Sequence, residues 1–435
     1  MLTREQNELL CRVEGDAPMG GIMRRHWLPV CLSEEVAEPD GAPVKSRLVG
    51  ENLVCFRDSN GKLGVLAEKC PHRGASLVFG RNEHCGLRCL YHGWKFDVDG
   101  NILEMSAEPD GAALMKSLKQ RSYPVREAGG FVWAWLGPKE ELREFDPPAW
   151  APKPGIKYAI VKMHAACNWA QVLEGSIDSA HSSSLHSTNM PAAEDVYGST
   201  ATDEAWYRPS NDKAPRLQFE PTPYGFRYAA IRKPIKNPES DQYVRTTLFV
   251  APFTVLIPPN NQYKLAQMLV PIDDVNTMFY WIAWHPDPKK GITQEAWRRF
   301  CGATLGEDLN PDYTKKRTLA NMYQQDRAAM KRGDFTGIKG IPTQDMAMWE
   351  SMGPIADRSQ DHPGASDMAV VQFRRIMVAA AKKFKDGAPA IGTPGWTKEP
   401  VPAHARLASF EGIVPKSTDW RTLGISQDEA VATAK

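Results

Sequence analysis

The hydrophobic positions of this chain change period along its length. Residues 3–12 carry the spacing of a short amphipathic helix and, with the stretch 19–27, form an N-terminal arm over residues 1–27. Between about 28 and 140 the apolar positions fall into short runs at 53–57, 63–66, 94–97 and 131–136. Turn sequences such as Asp58-Ser59-Asn60-Gly61 and Asp97-Val98-Asp99-Gly100 separate them, which predicts the hairpins of a small antiparallel β-domain spanning 28–146. The Pro-rich stretch 147–154 cannot continue a helix or a central strand and marks a boundary. Beyond it, 168–180 reads as a helix, and strand-like runs follow at 225–231, 244–257, 263–271 and 278–284. Helical patterns return at 293–303, 311–332 and 366–385. Strands bracketed by helices predict an α+β fold, with an antiparallel sheet flanked by helices in a second domain at 155–385. The Gly- and Pro-rich tail, 386–435, is expected to wrap the surface or a neighbouring subunit.

Length and composition narrow the partners. A chain of 435 residues implies two or three domains. With 42% hydrophobic and 24% charged residues it can bury a real core, and a net charge of +1 gives no reason to expect nucleic acid or a membrane surface as partner. No apolar run approaches the roughly 20 residues that cross a bilayer, and Met1-Leu2-Thr3-Arg4-Glu5-Gln6-Asn7 is too polar for a signal peptide, so the cytoplasm is expected. Eight cysteines scattered through such a chain point to metal before disulfides where they pair with histidine. Cys11, Cys31, Cys55, Cys167 and Cys301 lack such partners and read as buried thiols, and Cys85 as a packing residue.

Two loops do pair them. Cys70-Pro71-His72 supplies one cysteine and one histidine, and Cys89-Leu90-Tyr91-His92 supplies another of each. Two thiolates can hold one iron and two imidazoles the other, the ligand set of a Rieske two-iron, two-sulfur cluster. Zinc could use the same residue types. The tight first loop, with Pro71 and Gly74, and the run Gly93-Trp94-Lys95-Phe96-Asp97 leading into a strand favour the cluster. His84 reads as a surface residue.

A second constellation follows. At about 100° per residue, Trp169, Val172, Leu173, Ile177 and Ala180 share one helix face, while Gln171, Glu174, Asp178 and His181 share the other. Such a polar face is ordinarily solvated, but here it ends in a further histidine. His186 lies beyond one turn's reach, so the helix must bend or end near Ser182-Ser183-Ser184 for both imidazoles to meet one metal. Two imidazoles and a carboxylate would leave positions open for dioxygen, and the Rieske-like signature upstream gives that reading its weight.

These residues closely resemble the Rieske non-haem iron aromatic-ring oxygenases over the whole chain. Asn168-Trp169-Ala170-Gln171, leading into Glu174 and Asp178, looks most like the phthalate dioxygenase branch. The resemblance implies that Cys70, His72, Cys89 and His92 hold the cluster and that His181 and His186 bind a mononuclear Fe(II). It implies that Asp178 links an iron-bound imidazole to a cluster histidine of the adjacent subunit. The third iron ligand in the family is a downstream aspartate followed by a glutamate. Gln344-Asp345-Met346-Ala347-Met348-Trp349-Glu350 fits, so Asp345 is chosen, with Asp361 and Asp367 as rivals.

By the same resemblance the chain is the oxygenase component of a multicomponent dioxygenase that cis-dihydroxylates an aromatic carboxylate, phthalate first. It would use O2 and electrons from a separate flavin/iron-sulfur NAD(P)H-dependent reductase, in a homotrimer or a hexamer of stacked trimers. An aromatic acid needs a cation in its pocket, and arginine suits carboxylate because its planar fork binds bidentately. Arg208 and Arg245 are the candidates, with Arg227 and Arg232 as rivals and Ser179 as a further donor. The alternatives are a monooxygenase or O-demethylase acting on a substituted benzoate, and an electron carrier or zinc-stabilised structural protein without catalytic iron.

Overall fold

A computed structural model describes residues 1–109, 111–193, 206–258, 263–287 and 289–424. Residues 13–16 and 23–145 form one compact unit, and 1–12, 17–22 and 146–435 the other. The N-terminal 27 residues are thus divided between the units and do not stand as a separate arm.

The first unit holds three small antiparallel sheets. Trp27–Leu32, Phe131–Trp135 and Val125–Ala128 form one, and Val44–Leu48, Glu51–Arg57 and Leu63–Ala67 the second. The third runs Arg81–Glu83, Gly86–Arg88, Trp94–Phe96, Ile102–Met105. Both expected turns close by one device, an aspartate accepting two backbone N–H groups. Asp58 takes those of Asn60 and Lys62 at 2.9 and 2.8 Å, and Asp97 those of Asp99 and Asn101 at 2.9 and 2.7 Å. Val54, Phe56, Leu66, Leu77, Leu87 and Phe96 pack into a core that also takes in Cys70, Cys89 and Trp94.

The second unit is built on one antiparallel sheet in the order Lys157–Ala165, Thr277–His285, Lys264–Pro271, Thr254–Ile257, Asp241–Val250, Gly225–Arg232, Arg216–Thr222. The expected single strand over 244–257 is two, because the chain turns back at Ala251-Pro252-Phe253 and Leu248 pairs with Leu256. Asp241–Val250 therefore has part of one edge left over, and Phe410–Pro415 occupies it, with Arg245 opposite Glu411. The tail thus adds a strand to this sheet. The strands at Lys157–Ala165 and Arg216–Thr222 went unrecognised in the hydrophobic pattern, the first because Lys162 and His164 interrupt its apolar run, the second because it is an edge strand carrying Pro221.

Four helices matter to the site: Trp169–Ile177, Gln294–Cys301, Ile341–Ser351 and Met368–Lys385. No helix spans 311–332. A 3-10 segment at Leu319–Gln324 and a short helix at Arg327–Lys331 replace it, with Met322, Tyr323 and Gln324 at positive φ. The buried Tyr323 hydroxyl bonds Glu350, a tertiary contact that outweighs local propensity. Among the described residues no helix is long and apolar enough to cross a membrane.

Asn168 caps the helix Trp169–Ile177, accepting the Ala170 N–H at 3.0 Å and donating to the carbonyls of Cys11 and Asp274 at 2.9 and 2.7 Å. The helix's polar face is not solvated. Gln171 donates to the carbonyls of Trp349 and Gly353 at 2.8 and 2.9 Å and accepts the Ala356 N–H at 2.8 Å. Glu174 accepts from Arg358 at 2.6 Å and from Arg374 at 2.8 Å, inside the protein. These contacts fasten the helix to Ile341–Ser351 and to the segment that follows it. The two helices approach so closely at Gly175 that an added Cβ would lie 2.0 Å from Nε1 of Trp349.

Candidate active site

The two Cys-His loops are near copies. In each, the cysteine carbonyl accepts the N–H of a glycine four residues on, Gly74 at 2.9 Å and Gly93 at 3.0 Å, and both glycines sit at φ 75°. Each cysteine N–H is taken by the strand or turn beyond, Cys70 by the Ala75 carbonyl and Cys89 by that of Trp94, both at 2.8 Å. The ligands segregate by type. Cys70 and Cys89 are buried side by side, and burial pushes the Cys70 thiol up to about 11 while the backbone amide of His72 works against the rise. The His72 and His92 rings stand 4.4 Å apart nearer the surface, and Trp94 stacks on His72 at 4.6 Å. Nδ1 of His72 is buried without a hydrogen-bond partner. Paired thiolates inside and paired imidazoles outside fit a two-iron cluster with unlike irons, and the unpartnered Nδ1 is free to bind the outer one.

The helix that carries the second constellation ends at Ile177, earlier than the serine run. The Tyr228 hydroxyl holds the Ile177 carbonyl at 2.5 Å. Asp178 then takes over the following amides, accepting the N–H of Ala180 at 2.7 Å and of His181 at 3.3 Å, and a 3-10 turn runs over His181–Ser183. This early end swings His181 and His186 together: their Nε2 atoms are 3.2 Å apart, and Asp345 Oδ1 lies 3.4 Å from the first and 2.9 Å from the second. Among the described residues these three form a group whose ligand atoms all lie within 4.8 Å of one another. Burial opposes charge on His181, yet Asp178 and Asp345 raise its pKa to about 10, so this is a place that attracts a cation.

An open cleft lies against this trio, with Trp206, Trp281 and Trp349 among its walls. Arg208, Arg245 and Ser179 also line it. Arg208 donates to the Ser182 hydroxyl at 2.9 Å and contacts Met190 Sδ at 3.2 Å; among the described residues it has no carboxylate partner. Burial, reinforced by the charge of Arg245, lowers its pKa to about 9. Arg245 pairs with Glu411 at 2.9 Å, and Arg232 stands behind Ser179, donating to its hydroxyl at 3.3 Å and its carbonyl at 2.7 Å.

Residues 26–124 match the family described as Rieske [2Fe-2S] domain, and residues 134–435 that described as LigXa C-terminal domain like. Over 97% of the chain and 94% of its relative, the sequence is 57% identical to the phthalate 4,5-dioxygenase oxygenase subunit of Pseudomonas putida. The chain belongs to the Rieske non-haem iron aromatic-ring oxygenases. Within them it is also 34% identical, over 97% of itself and 98% of that protein, to the 3-chlorobenzoate-3,4-dioxygenase oxygenase subunit of Comamonas testosteroni. The fold is that of the terminal oxygenase of carbazole 1,9a-dioxygenase from Novosphingobium sp. KA1, at a TM-score of 0.55 and 19% identity, covering 87% of this chain and 97% of that one.

A Rieske oxygenase carries a [2Fe-2S] cluster and a mononuclear non-haem iron, and both residue sets fit their groups. Of the rivals for the third position beside the two histidines, Asp361 bonds Arg374 and Asp367 accepts the Gly364 N–H at 2.6 Å, so neither joins the trio. Of the rival arginines, Arg227 pairs with Glu220 and the Arg421 carbonyl outside the cleft, and Arg232 reaches it only through Ser179. Cys11, Cys31, Cys55, Cys167 and Cys301 are buried and form no disulfide, and Cys85, also without a disulfide, accepts from Asn60 at 3.1 Å. Two residues of the oxygenase's site escaped the sequence reading. Gln344, 2.7 Å from His186 Nδ1, is adjacent to Asp345 in the sequence, but nothing local to it points to His186 as its partner. Glu411 had no signal at all, since only strand pairing brings it to Arg245.

Proposed function

We propose that the chain is the oxygenase component of a multicomponent dioxygenase that cis-dihydroxylates an aromatic dicarboxylate, phthalate first. The observation that carries this reading is Arg208: a buried guanidinium lining the cleft beside His181, His186 and Asp345, with no carboxylate partner among the described residues. Burying a cation is costly unless an anion meets it. Three guanidinium groups, those of Arg208, Arg232 and Arg245, gather around Ser179 and the cleft, and among the described residues Arg245 alone of the three has an ion-pair partner, Glu411, which suits an anionic substrate. The 57% identity to a phthalate 4,5-dioxygenase oxygenase subunit supports the same substrate.

In this reading Cys70, His72, Cys89 and His92 hold the cluster, which supplies single electrons received from a flavin/iron-sulfur NAD(P)H-dependent reductase. His181, His186 and Asp345 hold ferrous iron, which supplies the dioxygen chemistry. Arg208 and Arg245 anchor the carboxylates, so the aromatic ring, set against Trp206, Trp281 and Trp349, meets the metal with fixed orientation. Ser179, whose oxygen is already occupied by Arg232, keeps its hydroxyl proton for a substrate carboxylate. Asp178, 3.3 Å from His181 Nδ1, accepts that ring proton and leaves Nε2 for the metal. Exposed Phe79, Leu90 and Tyr91 on the first unit, with Met348 on the helix of Asp345 and Met352 just beyond its end, are apolar surfaces that an assembly of copies would cover. A trimer or a stacked-trimer hexamer in the cytoplasm is our reading of that assembly, with Asp178 of one subunit beside a cluster histidine of the next.

Product analysis with labelled O2 and the reduced protein tests this against phthalate, isophthalate, terephthalate, benzoate and a methoxybenzoate. A cis-dihydrodiol bearing both labelled atoms from a dicarboxylate is the expected result. Formaldehyde from the methoxy acid without any diol would overturn it in favour of demethylation.

A further inference from the structure

The two candidate iron histidines face unlike groups from behind. His181 Nδ1 faces the Asp178 carboxylate at 3.3 Å, while His186 Nδ1 faces Oε1 of Gln344 at 2.7 Å. The orientation of that amide is not free. Its Nε2 lies 2.9 Å from the Ile338 carbonyl, which can only accept, and 3.0 Å from Asn189 Oδ1. With both amide protons committed there, Oε1 must face His186, and His186 must carry its proton on Nδ1. Nε2, 2.9 Å from Asp345 Oδ1, is then left with its lone pair toward the metal position.

We infer that Gln344 is a positioning residue for the mononuclear metal, setting the tautomer and ring orientation of His186 as a neutral counterpart to Asp178. The inference rests on the reading of His181, His186 and Asp345 as the metal ligands. Nothing else within the described residues takes the His186 Nδ1 proton. Gln344 lies one residue before Asp345 in the helix Ile341–Ser351, so one turn of helix delivers both a ligand and the group that readies another ligand. Asn189, three residues after His186, closes the ring of contacts from the ligand's own loop.

Gln344→Met fills nearly the same volume without an acceptor, and Gln344→Glu restores the acceptor while placing a buried anion against the Ile338 carbonyl. A purely structural role ranks the Met variant above the Glu variant. A tautomer role ranks them the other way in metal affinity. Fe(II) affinity by chelator competition, with the cluster intact and oxidised, is the measurement, alongside the EPR signal of the ferrous-nitrosyl probe and the thermal midpoint. The expected result is a roughly 10–100-fold loss of Fe(II) affinity in Gln344→Met and a changed nitrosyl signal, with at least part of the affinity regained in Gln344→Glu. Asn189→Ala, which removes one of the two acceptors fixing the amide, is expected to lose a few-fold and serves if the Met variant does not fold. Wild-type affinity in Gln344→Met, or in Asn189→Ala should that variant stand in for it, overturns the inference. So does a Glu variant that binds no better than the Met variant. His181→Ala is the control on the underlying reading: if it keeps full Fe(II) affinity, the ligand assignment fails and not merely the role of Gln344.

Discussion

Asp178 Oδ2 lies 3.3 Å from Nδ1 of His181, while its other oxygen accepts the Ala180 N–H at 2.7 Å. One carboxylate therefore closes the turn after Ile177 and faces the ring that turn presents, which it orients in the proposed reading. The two tasks separate by substitution. Asp178→Asn keeps an oxygen for the Ala180 amide, so the thermal midpoint should stay near wild type. The carboxylate's hold on the ring proton is lost, and product formation should fall by about 10–100-fold. Steady-state turnover beside a melting curve checks this; an equal loss of both would mean that Asp178 is mainly a cap.

Arg208 should show function and stability pulling apart. Arg208→Met removes a buried cation that has no carboxylate partner among the described residues. Without substrate the variant should melt no lower than wild type. Substrate binding should weaken by about 100-fold, the worth of a bidentate charge-assisted contact near 3 kcal/mol. Calorimetric titration with phthalate and a melting curve without it read the two effects separately.

Gly175→Ala tests how closely the two iron-site helices must approach. A methyl there would lie 2.0 Å from Trp349 Nε1, on the rigid ring and not at the end of a flexible chain. The helix bearing Gln344 and Asp345 must move to admit it. A loss of about 1–3 kcal/mol in stability is expected, together with lowered mononuclear iron content at unchanged acid-labile sulfide. Iron and sulfide analysis on the purified variant gives the answer.

What could be read in the sequence was what depends on short spacing. The Cys-His loops, the helix after Asn168, and His181 with His186 are local patterns; the antiparallel character of the first unit follows from run lengths and turns, and that of the second from strands bracketed by helices. Glu174 and Gln171 were harder, because a polar stripe opposite a core stripe looks the same whether water or buried arginine faces it. Only the chain's return at Trp349, Arg358 and Arg374 makes that face interior. The helix Ile341–Ser351 carries no amphipathic stripe because nearly every side chain on it is buried, so periodicity had nothing to detect.

Glu174 should leave a mark on the acid limb of stability. Burial alone would raise its pKa, but Arg358 and Arg374 overcome that and hold it below its ordinary value of 4.5. A carboxylate with a lowered folded pKa stabilises above its unfolded pKa, and that contribution drains away as pH falls from about 4.5 through the folded value. Glu174→Gln should cost about 3–5 kcal/mol at pH 7, since it strands buried guanidinium charge, and should show a shallower decline below pH 4.5 than wild type. Denaturant titrations at stepped pH values follow both.

The counter-ion of Arg245 arrives late. Glu411 is 166 residues downstream of the arginine it neutralises, on a strand that inserts beside Asp241–Val250. During synthesis on the ribosome, the histidines, Arg208 and Arg245 are all present long before that strand emerges. Until then Arg245 lacks this counter-ion and Asp241–Val250 lacks its partner strand along that edge. The charge pairing of the cleft is therefore complete only with the last strand of the sheet, and a chain clipped before residue 411 would leave Arg245 without Glu411.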